Sequence, residues 1–294
     1  MADETKISSI TEIVNSEFIE PLIMDYAIDA MVAAPLCRVS NLAGKGTKVA
    51  AFARWDKDTG ADITEGTAMS NNELTLSDVQ VTAAQVGILR EVTDFAAATS
   101  ITGPEALMAF IAMDGGKLCG EMMEDDVVGL FPSATSSVGT SGQDLSVADF
   151  LQAIATLDTN KARGRRVCVL DDQQAFDLRA AVAASQGTVF GNSNTDQSVL
   201  VARGNGYVGE LFGVPVWMSN LTETANAGAD VVGAMFIDGN ANPEMAALGI
   251  ASVWTPKVKQ QTSAANTSEI VGITQCYGAG LIHSSSIVKI VTDA

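Results

Sequence analysis

The feature that most constrains this chain is a helical stretch bracketed by two prolines, Pro104 and Pro132. Pro104 suits the first helical position, with Thr102 or Gly103 available as the cap. Leu107, Ile111, Leu118 and Met122, joined by Phe110, Cys119 and Met123, recur at helical spacing and form an apolar stripe. A helix over 104–131 is about 40 Å long at 1.5 Å per residue, longer than a small globular domain requires. Gly115 and Gly116 weaken its middle by about 1 kcal/mol each. The pair therefore predicts a bend or a close backbone contact there.

Different periodicities flank this rod. Residues 8–34 read as a helical arm: Ser9 and Glu12 form a capping-box pattern, and Ile13, Val14, Phe18, Ile19, Leu22, Ile23, Tyr26 and Ala27 lie at helical spacing. Pro21 kinks or divides the arm, and Pro35 closes it. From 46 to 95 the pattern is that of strands, at Val49–Trp55, Leu74–Leu76, Val79–Val81 and Val86–Val92. Between them, 56–72 has turn chemistry and little core-forming material. The whole predicts a long hairpin whose tip buries little against its own chain.

After a Ser/Gly/Thr-rich linker at 133–142 comes a compact α/β segment. Ser146 and Asp149 predict a capping box, with Leu145 stapled against Phe150, at the start of a helix over 147–157. A buried strand at Val167–Leu170 precedes a helix over 172–184 capped by Asp171. Gly187–Gly206 reads as a long loop. Strands follow at Tyr207–Phe212, Val214–Met218 and Val231–Ile237, a short helix begins at Pro243, and 251–260 and 268–292 are strand-rich.

With 294 residues, 47% of them apolar, the chain has ample material for a core. No stretch is long, apolar and uncharged enough to span a bilayer, and the opening residues are acidic and polar, unlike a signal peptide. Synthesis and assembly in a cytoplasm are therefore expected. The net charge of −18 is uneven: residues 1–150 hold 23 acids and 8 bases, whereas 151–294 hold 12 acids and 9 bases. So acidic a chain repels phosphate, which argues against sequence-specific nucleic-acid binding.

The residues give no sign of catalysis. Cys37, Cys119, Cys168 and Cys276 lie far apart without a CxxC pair, as buried reduced thiols do. His283 is the single histidine, too few for a zinc site. The glycines at 204 and 206 precede a strand instead of opening a helix after one, so they fail the context of a dinucleotide loop. Neither cofactor nor metal is expected. Two charge clusters remain. Glu124, Asp125 and Asp126 read as a solvated helix face near a C-terminus, although acids there oppose the helix dipole and point to a basic group nearby, from elsewhere in the chain or from another chain. Lys161, Arg163, Arg165 and Arg166 form the dense basic cluster; a solvated turn is one reading, an inter-subunit salt-bridge patch the other.

The order of these parts resembles the major capsid proteins of tailed bacteriophages, the Hong Kong 97-type α+β fold. Ala61–Gly66 with Leu74–Leu76 is similar to that family's E-loop, and Gly87–Asp94 to the strand before its spine helix. Val167–Asp171 and Gly209–Val216 with Ser219 are similar to strands of its A domain. The resemblance implies an N-terminal arm over 1–45, an E-loop hairpin over 46–82, and a P domain over 83–145 carrying the spine helix 104–131. It further implies an A domain mainly over 146–250 and returning P-domain strands over 251–294. It implies a coat protein, not an enzyme, that assembles into hexamers and pentamers of an icosahedral shell around double-stranded DNA.

Portal and a separate scaffolding protein are then expected partners, and a decoration protein is a further one; membranes are not. The expected inter-subunit contacts are Trp55, Lys57, Asp58, Thr64, Glu65 and Gly66 at the hairpin tip, together with the acidic run and the basic cluster. Lys57 has no identifiable Asn and Glu partners, so crosslinking is not expected. An encapsulin-like compartment shell is the alternative within the fold, and a β-rich surface or receptor-binding protein the alternative outside it.

Overall fold

A computed structural model of the chain describes residues 24–28, 30–55, 76–99, 103–184, 190–191, 206–263 and 267–294. The first half holds β1 (Arg38–Asn41), β2 (Val49–Trp55), β3 (Leu76–Thr82), β4 (Ala84–Thr93), α1 (Asp94–Thr99), α2 (Gly103–Val128) and β5 (Ser136–Val138). Then come α3 (Val147–Thr159), β6 (Arg166–Leu170), α4 (Asp172–Ala184), β7 (Phe190–Gly191), β8 (Tyr207–Leu211) and β9 (Val214–Met218). The chain finishes with β10 (Thr224–Ala225), β11 (Asp230–Ile237), β12 (Leu248–Ser263), β13 (Ser268–Leu281) and β14 (Ile287–Asp293).

These strands make three sheets. One runs β1-β12-β13-β4, a second runs β5-β14-β11-β6-β9-β8-β7 with β10 paired to β11, and β2 pairs with β3 alone. The second sheet is covered on both faces, and its sequence shows why. Along β6, Cys168 and Leu170 enter one apolar cluster while Val167 and Val169 enter another. Along β11, Met235 and Ile237 divide in the same way from Val232, Ala234 and Phe236. An unbroken apolar run with alternating destinations is the signature of a strand buried on both sides. Helices α3 and α4 cover the first face through Phe150, Ala153, Leu157, Ala175 and Leu178. The second face meets Val127, Val128 and Phe131 at the end of α2, together with Ala33, Ala34 and Cys37.

Local chemistry fixes the ends of these elements. Ser146 and Asp149 form a reciprocal capping box on α3, and the Asp171 carboxylate accepts the Gln173 N–H at 3.0 Å as α4 begins. The β8–β9 hairpin turns through Phe212 (φ 52°) and Gly213 (φ 78°). Such a two-residue turn needs positive φ at both positions. At Gly233 a Cβ would sit 2.3 Å from the Gln174 side chain. That vacancy lets the Gln174 amide reach the Val231 and Ile290 carbonyls and the Thr292 hydroxyl, tying α4 to β11 and β14.

The first sheet is a long ribbon whose β1 end is covered on both faces, Ala251 and Cys276 packing on Phe52, Val81 and Ala83 of the β2–β3 hairpin and Leu248, Ile250 and Tyr277 joining the cluster at the end of α2. Among the described residues its far end is covered on one face only. α2 lies across it through Ile111, Cys119, Val258, Val271 and Ile273. A Cβ on Gly115 would fall 2.0 Å from the Ile273 Cδ1, so close contact accounts for that glycine. A Cβ on Gly120 would fall 2.4 Å from the Ala27 carbonyl oxygen, where residues leading out of the arm cross the helix.

Some expectations need correcting. Residues 8–23 of the expected arm helix lie outside the described residues; beyond them the arm is not helical to residue 34, since helix is seen at 24–28 and a 3-10 turn occupies Ala34–Leu36, with Pro35 inside it instead of closing a helix. No helix begins at Pro243, which lies among turns at the end of the strand segment. Of the strands expected over 251–294, β12 and β13 form the ribbon whereas β14 pairs with β11 and β5. The helix expected over 104–131 ends at Val128, and Phe131–Ser133 is a separate 3-10 turn.

Candidate assembly surfaces and the arm clasp

The acidic run near the end of α2 is divided by its environment. Glu124 is fully buried, while Asp125 and Asp126 are exposed. Its position explains this: Glu124 stands one turn after Gly120 and one turn before Val127 and Val128, on the face turned to the arm and the second sheet. Oε2 accepts the N–H groups of Val32, Ala33 and Ala34 at 3.0, 2.9 and 3.0 Å. Oε1 accepts the Ala33 N–H at 2.8 Å and the Ser219 hydroxyl, beyond β9, at 3.3 Å. This carboxyl thus ties the arm root, α2 and the end of β9 together. The donors expected to answer the acids near this helix end are, for Glu124, backbone amides instead of a base. That capture also draws the 32–34 amides away from continuing the arm as a helix.

Electrostatics at this point pull both ways. Burial pushes the Glu124 carboxyl above the ordinary glutamate range, and the amide and Ser219 hydrogen bonds pull against it, with burial the larger influence. Burial with Glu124 and Asp238 close by also pushes the Cys37 thiol up. Asp126 accepts the Tyr277 hydroxyl at 2.6 Å, and burial together with that carboxylate pushes the phenol up.

The basic cluster is a turn following α3. Lys161 takes a left-handed conformation (φ 58°), and Ala162 donates its N–H to the Leu157 carbonyl at 3.0 Å, closing the helix end. Lys161, Arg163 and Arg165 are exposed. Arg165 pairs with Asp238 at 3.5 Å, and Arg166 pairs with Asp158. Among the described residues, no ion pair joins this turn to Glu124, Asp125 or Asp126. Of the hairpin residues, Trp55 ends β2 opposite Leu76; Lys57, Asp58, Thr64, Glu65 and Gly66 lie outside the described residues.

The uncovered face of the ribbon was not singled out from sequence. Val258, Val271 and Ile273 turn toward α2, so the alternate residues face away from it. Across the strands these are Lys257, Thr274 and Gly87, then Lys259, Gly272 and Leu89, then Gln261, Ile270 and Glu91. Leu89 is 70% exposed and Phe95, just beyond β4, is 79% exposed. Among the described residues β4 is itself an edge, hydrogen-bonded along ten residues to β13 and unpaired on its other side. The sequence signal was the alternation in β4 and β12, which becomes readable only once one face is assigned to α2.

The fold has close counterparts among solved structures. The chain superposes on a protein of Mycobacterium phage Che8 with a TM-score of 0.65 at 17% identity, covering 88% of this chain and 90% of that one. It matches the capsid structure of cyanophage P-SCSP1u with a TM-score of 0.64 at 12% identity, over 89% and 88% of the two chains. It also matches the SrpI encapsulin of Synechococcus elongatus with a TM-score of 0.61 at 8% identity, over 88% and 85%. No protein-family model matches the chain, and no curated protein matches it in sequence. The architecture is the Hong Kong 97-type capsid fold, a mixture of helix and sheet shared by phage capsids and encapsulin.

Proposed function

We propose that this chain is a shell-forming capsid subunit, structural and not catalytic, that assembles with copies of itself into hexamers and pentamers of an icosahedral particle holding double-stranded DNA. The observation that carries this reading is fold likeness to phage capsid proteins over nearly the full length of both chains. The uncovered ribbon supports it. A long edge strand with exposed Leu89 and Phe95 beside it is a liability in a solitary protein and an asset where neighbours cover it.

In this reading the hairpin tip, from Trp55 to Gly66, and the exposed Arg163 turn reach neighbouring subunits, and folding and assembly energies are linked. The acidic surface limits adhesion to packaged DNA, a portal and a separate scaffolding protein complete the particle, and its place is the virion, after assembly in the host cytoplasm. A second reading is favoured by the encapsulin match: a compartment shell enclosing protein cargo.

Particles isolated from the source organism and treated with nuclease distinguish the two. Protected double-stranded DNA of genome length is the expected result. Particles that enclose a single enzyme and no DNA would establish the compartment instead.

A further inference from the structure

The buried Glu124 sits among donors, and among the described residues no cation is in contact with it. The charged and titratable groups around it are Asp125 and Asp126 on α2 itself, Cys37 beyond the arm root, Asp238 beyond β11, Tyr277 on β13 bonded to Asp126, and Glu223 near Gly129. Asp238 itself is paired with Arg165. An anion in such a place has lost its water and gained no counter-charge.

The geometry accommodates a neutral carboxyl without rearrangement. Oε2 alone accepts the three amides of Val32, Ala33 and Ala34. A proton on Oε1 can then be donated to the Ser219 oxygen, because a hydroxyl accepts as readily as it donates. The Ser219 hydrogen bond simply reverses. Every amide at the arm root keeps an acceptor in both protonation states; the charged state makes the stronger hydrogen bonds, but it alone carries the burden of burial, which is the larger influence.

We propose that Glu124 and Ser219 form a proton-linked clasp that holds the arm root to α2, tighter when Glu124 is neutral and looser when it is charged. The sign follows from linkage. Docking buries the carboxyl and favours its proton, whereas release returns it to water and to an ordinary glutamate. Proton uptake therefore accompanies docking, so falling pH tightens the clasp and rising pH loosens it. Each tenfold gain in proton affinity on docking appears as about a tenfold gain in the docked population across the titration. The arm is thereby conditionally attached, whether or not the chain builds a shell.

Hydrogen exchange of the 32–34 amides in the full-length protein, corrected for intrinsic exchange rates, tests this between pH 5.5 and 8. Wild-type protection should fall severalfold or more as pH rises. Glu124→Gln comes nearest to the neutral acid: its oxygen accepts the three amides at the Oε2 position and its NH2 donates to Ser219, giving up only the second contact of the Ala33 N–H. It should hold the protected level at both pH values, and Glu124→Ala should lose protection at both. Ser219→Ala, a milder change, should flatten the pH dependence by removing the acceptor for the proton. Wild-type protection that rises with pH would overturn the proposal, as would a folded Glu124→Gln protein as unprotected as Glu124→Ala.

Discussion

Gly120 is the point where the arm crosses the long helix, and filling it should lift the arm. In Gly120→Ala the new Cβ would lie 2.4 Å from the Ala27 oxygen and 2.9 Å from the Ala30 Cβ. Ordinary carbon–oxygen contacts are about 3.3 Å or more, so the crossing segment must retreat by about 1 Å. Overpacking of this kind costs about 1–3 kcal/mol. The shift also stretches the Glu124 bonds to the next residues of the arm, now 2.8–3.0 Å, with about 0.5–1.5 kcal/mol at stake for a neutral acceptor. Against this, alanine in a helix interior gains about 1 kcal/mol over glycine. The net loss in arm docking is about 0.5–3.5 kcal/mol. Limited proteolysis and hydrogen exchange over 24–36 should show the arm released while the second sheet stays protected. A Gly120→Ala protein with raised melting temperature and unchanged arm protection would refute the crossing. Gly115→Ala is the companion: its obstacle is the tip of Ile273, which can rotate, so its loss should be smaller.

Two further changes separate folding from assembly. Gln174→Ala leaves the Val231 and Ile290 carbonyls and Thr292 without their amide partner; thermal unfolding should report a loss of about 2–4 kcal/mol, and an unchanged melting temperature would remove that residue's role. Charge reversal at Arg163, which is exposed, should lower particle yield while leaving the subunit's melting temperature unchanged. The same reversal at Arg165 and Arg166 also breaks their pairs with Asp238 and Asp158, so only Arg163 isolates an inter-subunit role. Unaltered particle yield from the Arg163 variant would dismiss it.

The elements with strong local signals were readable from the sequence. The helix at 172–184, the capped start of α3 and the β2–β3 hairpin strands follow from capping chemistry and alternation. What the sequence hid were partnerships over long separations. Glu124 belongs to a run of three acids, and only its position between Gly120 and Val127 on one face hints that it turns inward. The amides it captures lie about ninety residues earlier, beyond any local pattern. The same distance effect misplaced the end of the arm helix, because no local pattern shows that a remote carboxyl takes the amides of residues 32–34. The open ribbon face was likewise invisible until α2 chose the other side.

The central claim, that this subunit is built to be completed by copies of itself, is tested most directly by electron microscopy of the purified chain in negative stain across a range of salt. Uniform closed shells, or rings of capsomer size, are the predicted result. A stable monomer at every salt and protein concentration would contradict the account.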